Sequence, residues 1–247
     1  MSDLELQDGF IEYGKVMRKL FILSILSIFL GTIAEILILI FLLISLRYIR
    51  KINKPLMNEN LRKGNMFLNI AILIELLGII LMVLFAIFFS IFMMSIFSGT
   101  QMIPSSRGSI VFLKSVILTT LIISAIISFI ARVYMIKGWE NLLIFFRENT
   151  QMFSAQIGED ATKGSEYMKK SYIISIIPYI ILLVFAIIFL AIPELLPNTF
   201  DYTVTELELL LTIIIIPILA LSVLTIIELI LQILGYWKLS QLENILV

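Results

Sequence analysis

The side chains best placed to do chemistry in this chain are three glutamates inside long apolar runs. Glu35, Glu75 and Glu228 each lie ten to twelve residues from the Lys or Arg that closes one end of the run. At about 1.5 Å per residue, this spacing predicts a depth of about 15–18 Å, near the membrane midplane. Carboxyls at one depth predict a proton or cation site, and Asn69, six residues before Glu75, would donate a hydrogen bond to it.

A second interpretation of the same glutamates is structural. A protonated carboxyl between helices can hydrogen-bond to a hydroxyl or a backbone carbonyl and hold the helices together. Inserting a charged residue at the centre of a helix costs about 2.5–3.5 kcal/mol, which the surrounding Ile and Leu offset. We therefore favour polar packing over an ion pathway.

The elements that carry these glutamates are apolar segments long enough to cross a membrane. A helix needs about 20 apolar residues to span the hydrocarbon core, and only helices satisfy their own backbone groups there. The chain is 60% hydrophobic with a mean hydropathy of +1.09. We predict an all-α integral membrane protein, a bundle of five to six transmembrane helices forming a single domain over 1–247, with the lipid bilayer as its surroundings. The apolar runs are 20–46, 66–98, 110–136, 171–192 and 206–237.

Composition argues against most enzymatic chemistry. The chain contains no histidine and no cysteine, which removes imidazole and thiol catalysis and the usual ligands of zinc or haem. Phosphate-binding loops and nucleophile or metalloprotease motifs are also absent from the sequence. A net charge of zero gives no field for nucleic acid. We therefore predict no enzyme, no cofactor and no metal.

The distribution of Lys and Arg predicts the orientation. No basic residue lies between Lys170 and Lys238, and the connection at 193–205 carries acidic residues, so this connection is predicted outside. We expect a multi-pass protein of the cell membrane with both termini cytoplasmic. The segments predicted inside are 47–65, 137–170 and 238–247.

The run at 20–46 fits two arrangements. One crossing would place the N-terminus outside, although Lys15, Arg18 and Lys19 favour the inside. A hairpin broken at Gly31 would return the N-terminus to the inside, but its arms would extend only about 16 and about 21 Å. We favour the hairpin.

Internal similarity supports this hairpin. Three exits, at 47–53, 133–142 and 234–244, each place an aromatic residue near Lys or Arg and then an Asn. The alternative is that such residues gather at any membrane interface. Motifs of small residues four apart are sparse, so the sequence does not signal tight glycine-mediated crossings. The similarity divides the chain into three tandem helical hairpins near 10–54, 58–143 and 164–245.

The order of an aliphatic hairpin, a RYIRKIN exit, a basic connector and an amphipathic lead resembles archaeal multi-pass membrane protein families of unknown function. The resemblance extends over most of the chain. It implies the membrane fold and habitat and no activity.

Two segments outside the spans have amphipathic patterns. Residues 1–19 form an N-terminal lead, and 137–170 form a cytoplasmic connector. Within the connector, the pattern predicts one helix over 139–157 and a loop over 158–165. The apolar side of that helix consists of Trp139, Leu142, Leu143, Phe146, Phe153 and Ile157.

These features together predict a non-enzymatic scaffold or accessory subunit of a membrane complex, whose partner is another membrane protein or a second copy of the chain. The alternative is a small transporter, channel or translocation-pore component that uses the midplane carboxylates for proton or cation passage.

Overall fold

The computed structural model describes residues 3–97, 107–191 and 204–245, and these residues are almost entirely helical. Helix accounts for 96% of the structure, with no strand in the described part, which confirms the all-α prediction. Short 3-10 turns lie at Thr150–Met152 and Gln241–Asn244. The α-helices are α1 (Asp3–Leu30), α2 (Thr32–Leu56), α3 (Glu59–Phe97), α4 (Arg107–Glu148), α5 (Ala155–Ala191) and α6 (Val204–Ser240).

Four of these helices are long and apolar enough to cross a membrane, which supports a transmembrane protein. The described candidate spans belong to α3, α4, α5 and α6, and neither α1 nor α2 contains one. The external connection predicted at 193–205 lies almost wholly outside the described residues. The candidate spans are Glu59–Ile91, Leu118–Glu148, Ala155–Phe185 and Leu219–Asn244.

The run at 20–46 is divided between α1 and α2, as the hairpin interpretation predicted. Gly31 separates the two helices with a φ of 52°, a left-handed conformation that side chains with a Cβ rarely adopt. No atom lies within 4 Å of the position that a Cβ would occupy there. The turn therefore depends on backbone conformation and not on packing.

Two compact units divide the described helices. The first unit contains 1–73, 130–176 and 223–247, and the second contains 74–129 and 177–222. The first unit therefore holds both arms of the α1–α2 hairpin together with the basic ends of the four long helices.

Aromatic side chains dominate the core of the first unit. Trp139, Phe145 and Tyr236 are completely buried, and Phe10 stacks on Phe145 with ring centroids 6.4 Å apart. Phe153 meets the Phe10 ring edge-on at 5.0 Å. Such ring pairs add about 0.5–1.5 kcal/mol beyond their buried area.

The connector after α4 differs from its prediction. The helix at 139 is the continuation of α4, which ends at Glu148, and a new helix begins at Ala155, so 139–157 is not one helix. The predicted apolar side of α4 is nevertheless buried, from Trp139 to Phe146. The loop predicted at 158–165 is wrong, because this segment belongs to α5. Its glycine and aspartate residues serve interhelical contacts instead of a turn.

Helices α3 and α4 approach each other closely at a pair of glycines. A Cβ on Gly64 would lie 3.2 Å from the carbonyl oxygen of Gly138. A Cβ on Gly138 would lie 2.5 Å from Cγ of Leu68. A side chain on Gly138 would therefore force Leu68 to move, and one on Gly64 would require a smaller adjustment of α4.

Helices α5 and α6 repeat this arrangement. A Cβ on Gly164 would lie 2.9 Å from the carbonyl oxygen of Gly235, and one on Gly235 would lie 2.7 Å from Sδ of Met168. The sequence motifs did not signal these tight glycine-mediated crossings. Each helix contributes one glycine to the crossing. No small-residue motif within a single helix therefore signals the contact.

The two crossings use equivalent residues. Gly64 is followed four residues later by Leu68, and Gly164 is followed four residues later by Met168. In the α1–α2 hairpin, Gly9 lies against Ile52, where an added Cβ would be 2.9 Å from Cγ1. All three helix pairs thus place a glycine of the first helix against a large side chain of the second.

The described side chains of the second unit are apolar and largely exposed. Residues 80–84 of α3 are all exposed, while Ala125 of α4 is buried. Phe85 and Phe89 stack on each other along α3 with centroids 6.0 Å apart. This surface requires an apolar environment.

Replacing Gly164 with Ala should destabilise the protein, because the new Cβ would meet backbone atoms that cannot rotate away. We expect a loss of about 1–3 kcal/mol, the usual cost of overpacking, measured as a lower unfolding midpoint in detergent.

Gly78→Ala is the matched control, because its Cβ would meet no backbone atom and only one side-chain methyl group, Cγ2 of Ile127, at 3.1 Å. Equal stability of the two variants would contradict the close crossing of α5 and α6.

Candidate functional site

Glu35 lies in the first turn of α2, four residues after the turn at Gly31, and its side chain is exposed. The N-terminus of a helix carries a partial positive charge from unpaired N–H groups, so an acidic residue is favourable there. This position gives Glu35 a structural explanation that requires no bound cation.

Glu228 lies on α6 and is half-buried. Its Oε1 accepts a hydrogen bond of 3.0 Å from Nε2 of Gln232, one turn further along the same helix. Such a pair at spacing i, i+4 satisfies part of the carboxyl locally. The contact supports the polar-packing interpretation for this residue.

Glu75 and Asn69 are both half-buried on α3. They belong to different compact units, Asn69 to the first and Glu75 to the second. The first unit therefore contains Glu35, Asn69 and Glu228 of the four predicted site residues.

That Glu35, Glu75 and Glu228 lie at one depth stays a prediction.

Among the residues that the structure describes, no group of three or more acidic side chains lies close enough to hold a metal ion. Proton or cation passage along the predicted carboxyls stays a prediction.

Two buried serine hydroxyls in the first unit bond to their own helices, whereas the buried Oγ of Ser165 has no hydrogen-bond partner among the described residues. Ser24 Oγ donates to the carbonyl of Leu20 at 2.8 Å, and Ser175 Oγ donates to the carbonyl of Tyr172 at 2.9 Å. Serine often satisfies itself in this way within an apolar helix. These hydroxyls therefore fulfil their bonding needs without lining a polar path.

Two ion pairs that the sequence did not predict join neighbouring helices in the first unit. Lys238 Nζ of α6 donates to Oδ1 of Asp160 on α5 at 2.7 Å, and the two side chains are only 23% and 13% exposed. Lys169 Nζ of α5 donates to Oε1 of Glu140 on α4 at 2.6 Å. The partners are far apart in sequence, so no local spacing could reveal them.

An intramembrane arginine was also missed as a contact residue. Arg132 of α4 lies over the ring of Tyr172 on α5, with the guanidinium carbon 5.3 Å from the ring centroid. Cation–π contacts gain strength where water is excluded. This contact adds a third link between neighbouring helices of the first unit.

The α1–α2 hairpin carries its own ion pair near the open end. Lys51 donates a hydrogen bond to Asp8, which lowers the pKa of the Asp8 carboxyl and raises the pKa of Lys51. Both side chains are exposed, so solvent screens the pair. Burial raises the pKa of the Tyr13 phenol on α1, so this phenol stays neutral.

An open groove of about 630 Å³ lies where α4 ends and α5 begins. Its charged lining includes Arg147, Lys163 and Glu159, and Lys163 already pairs with Glu159 at 2.5 Å. The groove has no arrangement of nucleophile and base. We assign it no chemistry.

Removing one partner of the Lys238–Asp160 pair should destabilise the first unit, because the other charge would remain poorly solvated. We expect Asp160→Asn to cost about 1–2 kcal/mol, and the double variant with Lys238→Met to recover part of that loss. Unfolding in detergent measures both effects.

Glu159→Gln provides the control, because the Lys163–Glu159 pair is exposed and screened by solvent, so its loss should change the unfolding midpoint little. If Asp160→Asn proved as mild as this control, the interhelical pair would not contribute to stability.

Comparison with known proteins does not identify a family for this chain. The resemblance to archaeal membrane families stays a prediction. The chain matches no protein-family model, no curated protein and no solved structure.

Proposed function

We propose that this protein is a non-enzymatic scaffold or accessory subunit of a larger membrane complex. The observation that carries the proposal is the exposed stretch at 80–84 of α3. Successive residues of a helix point about 100° apart, so five exposed residues cover its whole circumference. This turn of α3 therefore has no buried face against the residues that the structure describes.

A transmembrane helix that packs only against its own chain would bury one stripe of side chains. Lipid can cover the exposed turn, but apolar side chains also give a second membrane helix a surface for close packing. The aromatic core and ion pairs of the first unit supply a stable base for such an attachment. We propose that another membrane protein, or a second copy of this chain, packs against α3.

The orientation that we propose follows from the four candidate spans and the basic segments. An even number of crossings returns the chain to the side on which α3 begins. Lys and Arg at both ends of this path favour the cytoplasmic side. Both termini would then be cytoplasmic in a protein of the cell membrane.

A photoreactive amino acid at Leu84 tests the proposed partner surface, since this side chain is exposed on α3. We expect illumination of native membranes to give one discrete protein adduct, identified by mass spectrometry.

Met57 is the matched control position, because it is also exposed but lies in the link between α2 and α3. Adducts at Leu84 with lipid alone, together with a monodisperse monomer in mild detergent, would refute the scaffold proposal.

A second candidate is a small transporter, channel or translocation-pore component. Its support is that Glu75 and Glu228 are half-buried carboxyls within two candidate spans, α3 and α6. Ionisable residues in such positions commonly serve proton or cation passage. Glu35 is less suited to this role because it lies at the start of a short hairpin arm.

Proteoliposome flux separates the two candidates. If the scaffold proposal holds, proton and potassium flux should equal that of empty liposomes, and Glu75→Gln and Glu228→Gln should leave it unchanged. Flux at least tenfold above empty liposomes that is lost in these variants would support transport instead. Glu59→Gln serves as the control, because Glu59 is exposed at the start of α3.

A further inference from the structure

We propose that the α1–α2 hairpin enters a single leaflet of the bilayer and binds anionic phospholipid headgroups through basic side chains at its base. This inference concerns the hairpin alone and does not depend on the scaffold role. In this proposal, the acyl chains of one leaflet cover the exposed apolar surface of the hairpin.

The two arms run antiparallel with a constant register. Lys51 bonds to Asp8 near the open end, and Ile52 lies against Gly9 at the same level. Further towards the turn, the Lys19 ammonium lies 5.7 Å from the centroid of the Phe41 ring. In each case the contacting residues are almost equally far from the turn at residue 31. The hairpin is thus one straight element whose depth can be counted from either arm.

The part of the hairpin between Lys19 and the turn matches the thickness of one leaflet. Beyond Lys19, α1 continues for 11 residues to Leu30, which is about 16 Å. On α2, apolar residues continue to Leu46, but Phe41 is the residue beside Lys19, and Thr32 to Phe41 covers 10 residues, or about 15 Å. Half of the hydrocarbon core is also about 15 Å thick. The turn would therefore lie near the midplane when Lys19 lies at the interface.

Exposure along the hairpin agrees with this placement. Phe29 is 80% exposed and Ile33 is 66% exposed, on either side of the turn. Closer to the base, Leu39 and Leu42 are buried. Large apolar side chains concentrated at an exposed tip are costly in water and favourable in acyl chains.

The base of the hairpin presents cations where headgroups would lie. Lys19 and Arg47 are exposed, and the Arg18 side chain is 65% exposed with a weak 3.5 Å pairing to Glu243. Basic residues near a membrane surface attract anionic lipids. Glu35 is the one acidic side chain between Lys19 and Arg47, and the N-terminus of α2 favours it.

Spin labels at single cysteines test the depth, because the natural chain contains no cysteine. We would place Ile22→Cys, Ile25→Cys and Phe29→Cys, all exposed on α1, in vesicles of phosphatidylcholine and phosphatidylglycerol. Oxygen accessibility should rise, and accessibility to a water-soluble nickel chelate should fall, steadily from 22 to 29. Reversal of this gradient, or labelling of position 29 by an impermeant maleimide from either side, would overturn the proposal.

A matched series on α3 shows the behaviour of a full crossing. Labels at exposed Leu73, Leu81 and Ile91 should pass through a maximum of depth and become shallow again. Such a maximum within 22–29 would show that the hairpin crosses instead of entering one leaflet.

The headgroup contact has a separate test. Native mass spectrometry should show at least threefold less phosphatidylglycerol bound to Arg18→Gln/Lys19→Gln than to the wild type, with phosphatidylcholine unchanged. Lys63→Gln is the control, because Lys63 already pairs with Glu59 at 2.8 Å. Equal phosphatidylglycerol binding by the double variant would refute the basic headgroup site.

Discussion

The packing of the first unit depends on how closely two helix backbones can approach, and paired glycines set that distance. At Gly164 and Gly235, a Cβ on either residue would come within 3.1 Å of the other's carbonyl oxygen. The crossing then brings flanking polar residues together: Asp160 lies one turn before Gly164, and Lys238 lies one turn after Gly235. The ion pair is a consequence of the approach. A wider crossing would leave the same two charges apart and poorly solvated.

The general character of the fold could be predicted from the sequence because hydropathy and helix length have direct physical meaning in a bilayer. The break at Gly31 was also predictable, since glycine alone adopts its backbone conformation without strain. Composition failed at 158–165, where Gly, Asp and Ser indicated a loop. Those residue types suit turns, but small size and a short carboxylate also suit a close helix crossing. Only the tertiary contacts show that these residues serve a helix crossing and not a turn.

The roles of the predicted site residues were still harder to predict from residue type. Counting to the nearest cation predicted one depth for Glu35 and Glu228, and this depth stays a prediction. A flexible Lys or Arg side chain reaches the interface from several levels, so it is an inaccurate marker of depth. The local partners, Gln232 for Glu228 and the N-terminus of α2 for Glu35, require knowledge of helix boundaries. Residue type alone could not distinguish these roles from ion binding.

In the topology that we propose, the hairpin reconciles six described helices with four candidate spans and places both ends on one side. An apolar segment too short to cross must turn back, and the turn requires a backbone conformation that Gly31 supplies. In a single leaflet, acyl chains would cover the apolar tip of the hairpin. The headgroups and water would solvate the basic residues at its open end. The same reasoning distinguishes Glu35 from Glu75. A carboxyl on a hairpin that ends near the midplane cannot form part of a continuous path across the membrane by itself, whereas one on α3 belongs to a helix long enough to cross. Any transport role therefore falls on the long helices, and the hairpin is better suited to holding the protein in its leaflet.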